Sequence, residues 1–248
     1  MKKIIFFDTE TTGITTDDKL CQLAYKIGDT IFCELFNPGK PIPFEASAVH
    51  HISNNMVADK PMFTASGDYL AIKDLADSDD AIWVAHNAKF DILMLKNEGI
   101  IPKNVICTLR VARALDKARK FSQYKLQYLR YALDIDIQAT AHDALGDVLV
   151  MEKLFDRLLA SIEKETGDRD GALARMIEIS ATPTIYTDFT FGKYNGKKIA
   201  DVLATDRGYL EWFLKSKLEA DDQDEDWIYT LRHYLGIIEK GPVSPYQE

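Results

Sequence analysis

The chain has 248 residues, enough for one large domain or for one medium domain with a small appendage. Apolar residues make up 46% and charged residues 28%, which excludes a disordered chain. Asp plus Glu (39) exceeds Lys plus Arg (30), and a net charge of −9 excludes coating of nucleic acid or anionic membrane by bulk charge, while leaving room for a local basic groove or an acidic metal site.

In chain order, the first signal is residues 2–8, an apolar run closed by a carboxylate, which predicts a buried strand. Its start imitates a signal peptide, but the run ends at Asp8 and is too short for an apolar core segment. Cys21, Leu23, Tyr25 and Ile27 alternate with Gln22, Ala24 and Lys26. The stretch from Thr30 to Phe36 is β-branched and aromatic, and Gly28-Asp29 between the two predicts a hairpin. Asn37-Pro38-Gly39 breaks the pattern, and Pro41 and Pro43 keep the chain extended. Residues 66–76 read as helix and 81–85 as a short buried strand. Residues 88–97 read as a helix with Phe90, Leu93 and Met94 on its apolar face and Gly99 at its C-cap. A further strand is expected at 104–108, then helices at 109–118, 125–133 and 143–165. No apolar run approaches the roughly 18 residues of a membrane-spanning helix. Cys21, Cys33 and Cys107 lack metal-ligand spacing and read as reduced core residues of a cytoplasmic protein.

This order predicts an α/β domain over residues 1–165, built on a mixed sheet whose first strands are antiparallel. Residues 166–184, small and charged around Gly167–Gly171 and broken at Pro183, are expected to be a linker. Residues 185–248 form a small α+β C-terminal module, in which Asp221–Asp226 reads as a solvated loop.

Three segments carry chemistry. Asp8 and Glu10 are two apart at a strand end, so they share one face. Carboxylates a few Å apart repel unless a cation lies between them, and oxygen donors without His or Cys favour Mg²⁺ or Mn²⁺. The alternative is a plain turn. An aspartate-nucleophile phosphatase is a poorer match, because it requires a second Asp where Glu10 stands. The second segment is His86-Asn87-Ala88-Lys89-Phe90-Asp91, where Asp91 is either a site residue or a favourable charge in a helix's first turns. The third is His142-Asp143-Ala144-Leu145-Gly146-Asp147. There Asp143 reads as an N-cap. Asp147 shares a stripe with Val150, Met151 and Leu154, and a charge on an apolar face needs a partner or a metal. His142 precedes the helix and is either structural or able to swing toward a site.

Together the three segments resemble, in order and in flanking residues, the exonuclease motifs of the DEDDh family. Asp8-x-Glu10-Thr-Thr-Gly matches the first motif, His86-Asn-Ala-x-Phe90-Asp91 the second, and His142-x-Ala-x-x-Asp147 the third. Ala48–Ser53 is similar to the family's Val-His-Gly-Ile-Thr segment, with His51 in place of Gly, and Tyr124–Leu129 to its Lys-Leu-x-x-Leu segment. Cys107 stands where an Asp is common. The resemblance spans roughly residues 3–160 and implies a ribonuclease-H-like mixed sheet flanked by helices, with removal of nucleotides from the 3′ end. It further implies that Asp8, Glu10, Asp91 and Asp147 hold two Mg²⁺ or Mn²⁺ ions and that His142 is the general base. The ions would activate a water and stabilise the leaving 3′-oxygen, releasing a 5′-nucleoside monophosphate. Thr11, Thr12 and Gly13 are expected at the terminal nucleotide, with His86 and Asn87 beside them.

The charge is uneven. Eight basic residues lie between 103 and 130 against Asp116 alone, and Arg110, Arg113 and Lys117 fall on one stripe of the predicted helix. The stripe is either a solvated face or a phosphate track. In the C-terminal module, Asn195-Gly196 predicts a type I′ hairpin displaying Lys193, Tyr194, Lys197 and Lys198 to nucleic acid, while Trp212 and Phe213 read as a mini-core. This Phe-Gly-Lys-Tyr-x-Gly stretch resembles the C-terminal module of exodeoxyribonuclease X-like proteins. The combined expectation is a metal-dependent 3′→5′ exonuclease acting on single-stranded or frayed 3′ ends, with DNA favoured and no membrane partner. An exoribonuclease, or a polymerase proofreading subunit that docks a protein through the module, is the alternative within the class. A non-catalytic nucleic-acid-binding protein is the alternative outside it, against which the complete five-residue set speaks.

Overall fold

Strand β1 (Lys3–Thr11) buries Ile5, Phe6 and Phe7 and stands at the centre of a five-stranded sheet. It pairs antiparallel with β2 (Leu20–Ile27), which turns through Gly28-Asp29 into antiparallel β3 (Thr30–Leu35). On its other side β1 runs parallel to β4 (Ala81–Ala85), and β4 parallel to β5 (Val105–Cys107). The sheet order β3-β2-β1-β4-β5 is the mixed arrangement expected, and the five residues of β4 are all buried, as a strand covered on both faces requires. The computed structural model describes residues 2–137, 144–220 and 224–237, and the chain divides into two compact units between Ala181 and Thr182.

Helices cover both faces of the sheet. Between β3 and β4 lie α1 (Phe44–His50), α2 (Asn54–Val57) and α3 (Tyr69–Ala76). Helix α4 (Ala88–Asn97) follows β4, and α5 (Thr108–Leu115) follows β5 without a break. Then come α6 (Leu126–Ala132) and the long α7 (Ala144–Thr166), which packs on β1 and β2. Phe6 meets Phe155 of α7 edge-on at 5.1 Å, so the even-numbered side chains of β1 face α7. Phe7 meets Trp83 at 5.0 Å on the opposite face.

The expected linker is instead helix α8 (Arg169–Ala181), packed on α7, α5 and β5 with Ala172, Leu173 and Met176 buried. Gly167 turns the chain at φ 88°, and Asp168 accepts the Gly171 N–H at 2.7 Å. The charges that suggested a linker are the outer face of this helix. Helix α5 stops at Leu115, short of the expected 118, because the Asp116 carboxylate folds the next residues around itself: it accepts the N–H groups of Lys120 (2.9 Å) and Phe121 (3.0 Å) and the Tyr124 hydroxyl (2.9 Å).

The second unit holds α9 (Ile199–Thr205), α10 (Arg207–Glu219) and α11 (Glu225–Leu235) around Phe189, Phe213 and Trp227, with Phe189 stacked on Trp227 at 5.5 Å. Among the described residues its β element reduces to one antiparallel bridge, Asp188–Lys198. The turn is type II rather than I′: Asn195 sits at φ −49°, ψ 128° and Gly196 at φ 78°, with Lys197 N–H on Tyr194 O at 2.9 Å. Buried Ile199 opens a helix directly after the bridge, so no strand continues. Asp224–Asp226 is a helix start and not a loop, with Asp224 capping the Trp227 N–H at 3.2 Å. Residues 221–223 lie outside the described residues.

Candidate active site

The site lies where β1 outruns β4. Their parallel pairing ends at Phe6–Val84, while β1 continues to Thr11. Asp8 and Glu10, both half-buried, therefore stand on an extension with β2 on one side only, facing α7. Thr9 between them faces the other way. Its N–H (3.1 Å) and hydroxyl (2.8 Å) both donate to Oδ1 of Asp91, which α4 brings up from the opposite face. Asp91 is only 2% exposed. Burial pushes its carboxyl up, the Thr9 hydrogen bonds oppose that rise, and the charge of Asp147 adds to it.

Asp147 lies in the first turn of α7, half-buried, and takes the Gln127 amide of α6 on Oδ1 at 2.5 Å. Among the described residues, no three His, Cys, Asp or Glu side chains converge on one point as they stand. The donor set still fits a hard divalent cation. It is all carboxylate, and one member is buried against its own charge beside another, a cost that a cation offsets. His142 and Asp143 lie outside the described residues.

After Glu10 the register of β1 shifts, and the chain turns at Thr11–Gly13. Thr11 and Thr12 are buried and their hydroxyls face inward, to Gly13 O (2.6 Å) and Asp18 Oδ1 (2.8 Å). Both hydroxyls are thus engaged within the turn, and what the turn offers outward is its backbone, the group expected at the terminal nucleotide. Asp18 binds the turn through Thr12, the Thr15 N–H and hydroxyl, and Lys40. Burial raises the Asp18 carboxyl, but these donors outweigh it and hold it well below the usual carboxylate range. Its contribution to stability is therefore present above that range and lost as acid protonates it. From below, His50 donates from Nε2 to Thr11 O at 3.2 Å and accepts the Ile52 N–H on Nδ1 at 3.0 Å. A Cβ on Gly13 would lie 2.5–2.9 Å from the Asp18 carboxyl group. Gly13→Ala should therefore cost about 1–3 kcal/mol in chemical denaturation, the usual penalty for overpacking. An unchanged denaturation midpoint would show that the turn yields freely.

The remaining residues divide. Both ring nitrogens of His86 are engaged within the protein: Nδ1 meets the Thr108 hydroxyl at 2.9 Å and Nε2 meets Tyr124 O at 2.8 Å. Burial pushes its pKa down to about 4, so it is neutral, donating from Nε2. Asn87 is exposed in the left-handed conformation (φ 65°) at the start of α4, where it can still reach a ligand. Arg110 is buried and donates to Ser180 O at 2.8 Å, so it clamps α8 and is not part of a phosphate track. Arg113 lies over the Tyr124 ring at 5.4 Å. In the second unit, the Tyr194 hydroxyl donates to Asp206 at 2.5 Å, and Lys193 pairs with the same carboxylate at 3.1 Å while covering the Tyr194 ring. Tyr194 is thereby part of that unit's packing and no open base platform. Lys197 and Lys198 are exposed. Phe213 is buried as expected, but Trp212 is 60% exposed. Gln127 and Thr9, which donate to two of the carboxylates, were not singled out from the sequence; the Lys-Leu-x-x-Leu segment was the one signal near Gln127.

Comparison with known proteins follows the two units. Residues 5–155 match the family model described as Exonuclease, and residues 189–216 match Exodeoxyribonuclease X-like C-terminal. Exodeoxyribonuclease 10 of Escherichia coli K12 is 33% identical over 207 residues, covering 81% of this chain and 83% of that protein. DNA polymerase III subunit epsilon of Treponema pallidum is 31% identical over 175 residues, covering 65% of this chain and 78% of that protein. The solved structure of exonuclease X in complex with 5′-overhanging duplex DNA superposes with a TM-score of 0.55 at 28% identity, covering 72% of this chain and 99% of that one. The mixed sheet flanked by helices is the ribonuclease-H-like fold that the motifs implied. The chain belongs to the exonuclease family and is a 3′–5′ exonuclease, a phosphodiester hydrolase with an exodeoxyribonuclease X-like C-terminal module.

Proposed function

We propose that the chain degrades DNA from its 3′ ends to 5′-nucleoside monophosphates, using two Mg²⁺ or Mn²⁺ ions held by Asp8, Glu10, Asp91 and Asp147. The observation that carries this reading is the burial of Asp91 within the field of Asp147, at the strand end that bears two further carboxylates. Divalent ions held by these four carboxylates would lower the pKa of a water and neutralise charge growing on the leaving 3′-oxygen. His142 takes the proton of the attacking water as general base. Thr9 and Gln127 donate hydrogen bonds to two of the carboxylates. The backbone of Thr11–Gly13, braced by Asp18 and His50, offers a close approach to the terminal nucleotide. Lys197 and Lys198 of the C-terminal module offer phosphate contacts to a longer strand. The buried thiols of Cys21 and Cys107 suit a reducing, cytoplasmic setting.

DNA is favoured because the relatives include an exodeoxyribonuclease and an exonuclease solved on duplex DNA. Matched DNA and RNA strands with Mn²⁺ test this directly. DNA should be shortened at least about tenfold faster, a difference of about 1.4 kcal/mol in transition-state binding; faster loss of RNA would assign an exoribonuclease. A second reading, a proofreading subunit, is favoured by the 31% identity to a polymerase III epsilon subunit. It places a protein partner on the module, where Trp212 is exposed.

A further inference from the structure

We propose that Gln127 is a positioning residue for hydrolysis: its amide fixes the rotation of the Asp147 carboxylate for cation binding, and Arg130 fixes the amide. The inference rests on Asp147 being a metal ligand, as argued above. The Gln127 Nε2 lies 2.5 Å from Asp147 Oδ1, and Arg130 Nη1 lies 3.3 Å from Gln127 Oε1. The arginine can only donate, so it settles which end of the amide is oxygen and turns the NH₂ toward the carboxylate. Arg130 also donates to Ile137 O, so its guanidinium is itself anchored.

The chemistry of the donor matters. An ion-binding carboxylate must be held in one orientation and keep its full negative charge for the cation. A Lys or Arg donor would supply the hydrogen bond but compete with the ion electrostatically. A neutral amide supplies the hydrogen bond alone. The two helices do not need this contact to pack, since Leu129 of α6 is already fully buried in the core beneath α7. A merely structural tie between α6 and α7 would be served equally well by lysine. Partners of metal ligands typically change metal affinity 10–100-fold when removed.

The test is calorimetric titration of Mn²⁺ into the full chain without nucleic acid, alongside thermal melting, for wild type, Q127M, Q127K and D147N. Methionine keeps the length of the side chain and removes the donor; lysine keeps a donor and adds charge. The proposal predicts that D147N loses a binding event. It also predicts that Q127M binds Mn²⁺ about 10–100-fold more weakly with a melting temperature near wild type, and that Q127K binds more weakly still. If D147N binds like wild type, the ligand assignment itself fails. If D147N loses binding while Q127M or Q127K titrates like wild type, the ligand assignment stands and the positioning role of Gln127 is overturned.

Discussion

Replacing Asp8 with Ala should abolish turnover and leave nucleic-acid binding intact or tighter. Asp8 stands on the part of β1 that extends past β4, half-buried, on the same face as Glu10 and toward the helix that carries Asp147. In the proposed site it shares the ions with both. Losing it would break the proposed two-ion clamp, worth several kcal/mol of transition-state stabilisation. At tenfold per roughly 1.4 kcal/mol, single-turnover release of mononucleotide should fall by about 10³-fold or more. Binding should not fall, because the variant has one negative charge fewer facing a polyanion. The fold should also hold, since the change relieves repulsion at a partly solvated strand end. The measurement pairs single-turnover rates with oligonucleotide affinity in the absence of turnover. A rate within a few-fold of wild type would remove Asp8 from the metal site.

The second large effect belongs to His142, which lies five residues before Asp147 and outside the described residues. His142→Ala should slow hydrolysis by roughly 10²–10⁴-fold, the share of a general base. Mn²⁺ affinity should be unchanged, because the role assigned to His142 is proton removal and not ligation. A general base must be deprotonated, so wild-type activity should rise with pH through about 6.5, the ordinary histidine pKa. The variant should lose that limb and regain part of its rate at high pH as hydroxide replaces the base. A parallel collapse of metal affinity would make His142 a ligand instead.

The sheet was legible because each strand has a pattern that only a strand explains. β1 and β4 are apolar runs buried on both faces, β2 alternates in sequence, and β3 is β-branched and aromatic beyond a two-residue turn. Helix α1 was not legible. Its Phe44 is 89% exposed, and only His50 is buried, so it has no apolar stripe to read. Helix α8 was hidden by the charges on its outer face. The carboxylates were legible through spacing and flanking residues, because four acids on three segments make a combination that turns and caps do not produce. The contacts that orient them were not. A single amide in a half-buried helix has no periodicity, and nothing in the chain order places Gln127 beside Asp147. At the basic residues the limit is the converse one: counting charges cannot show that Ser180 O lies beneath Arg110 or, in the C-terminal module, that Asp206 takes both Lys193 and Tyr194.

Polarity is the most direct test of the central claim, that four carboxylates and a histidine serve a free 3′ end. A 5′-labelled linear single strand, its 3′-phosphorylated counterpart and a covalently closed circle would be incubated with the full chain and Mn²⁺. The linear strand should shorten stepwise while retaining its label, with 5′-nucleoside monophosphates as product; the 3′-phosphorylated strand should resist, and the circle should remain intact. Cutting of the circle, or early release of the 5′ label as a mononucleotide, would contradict the account.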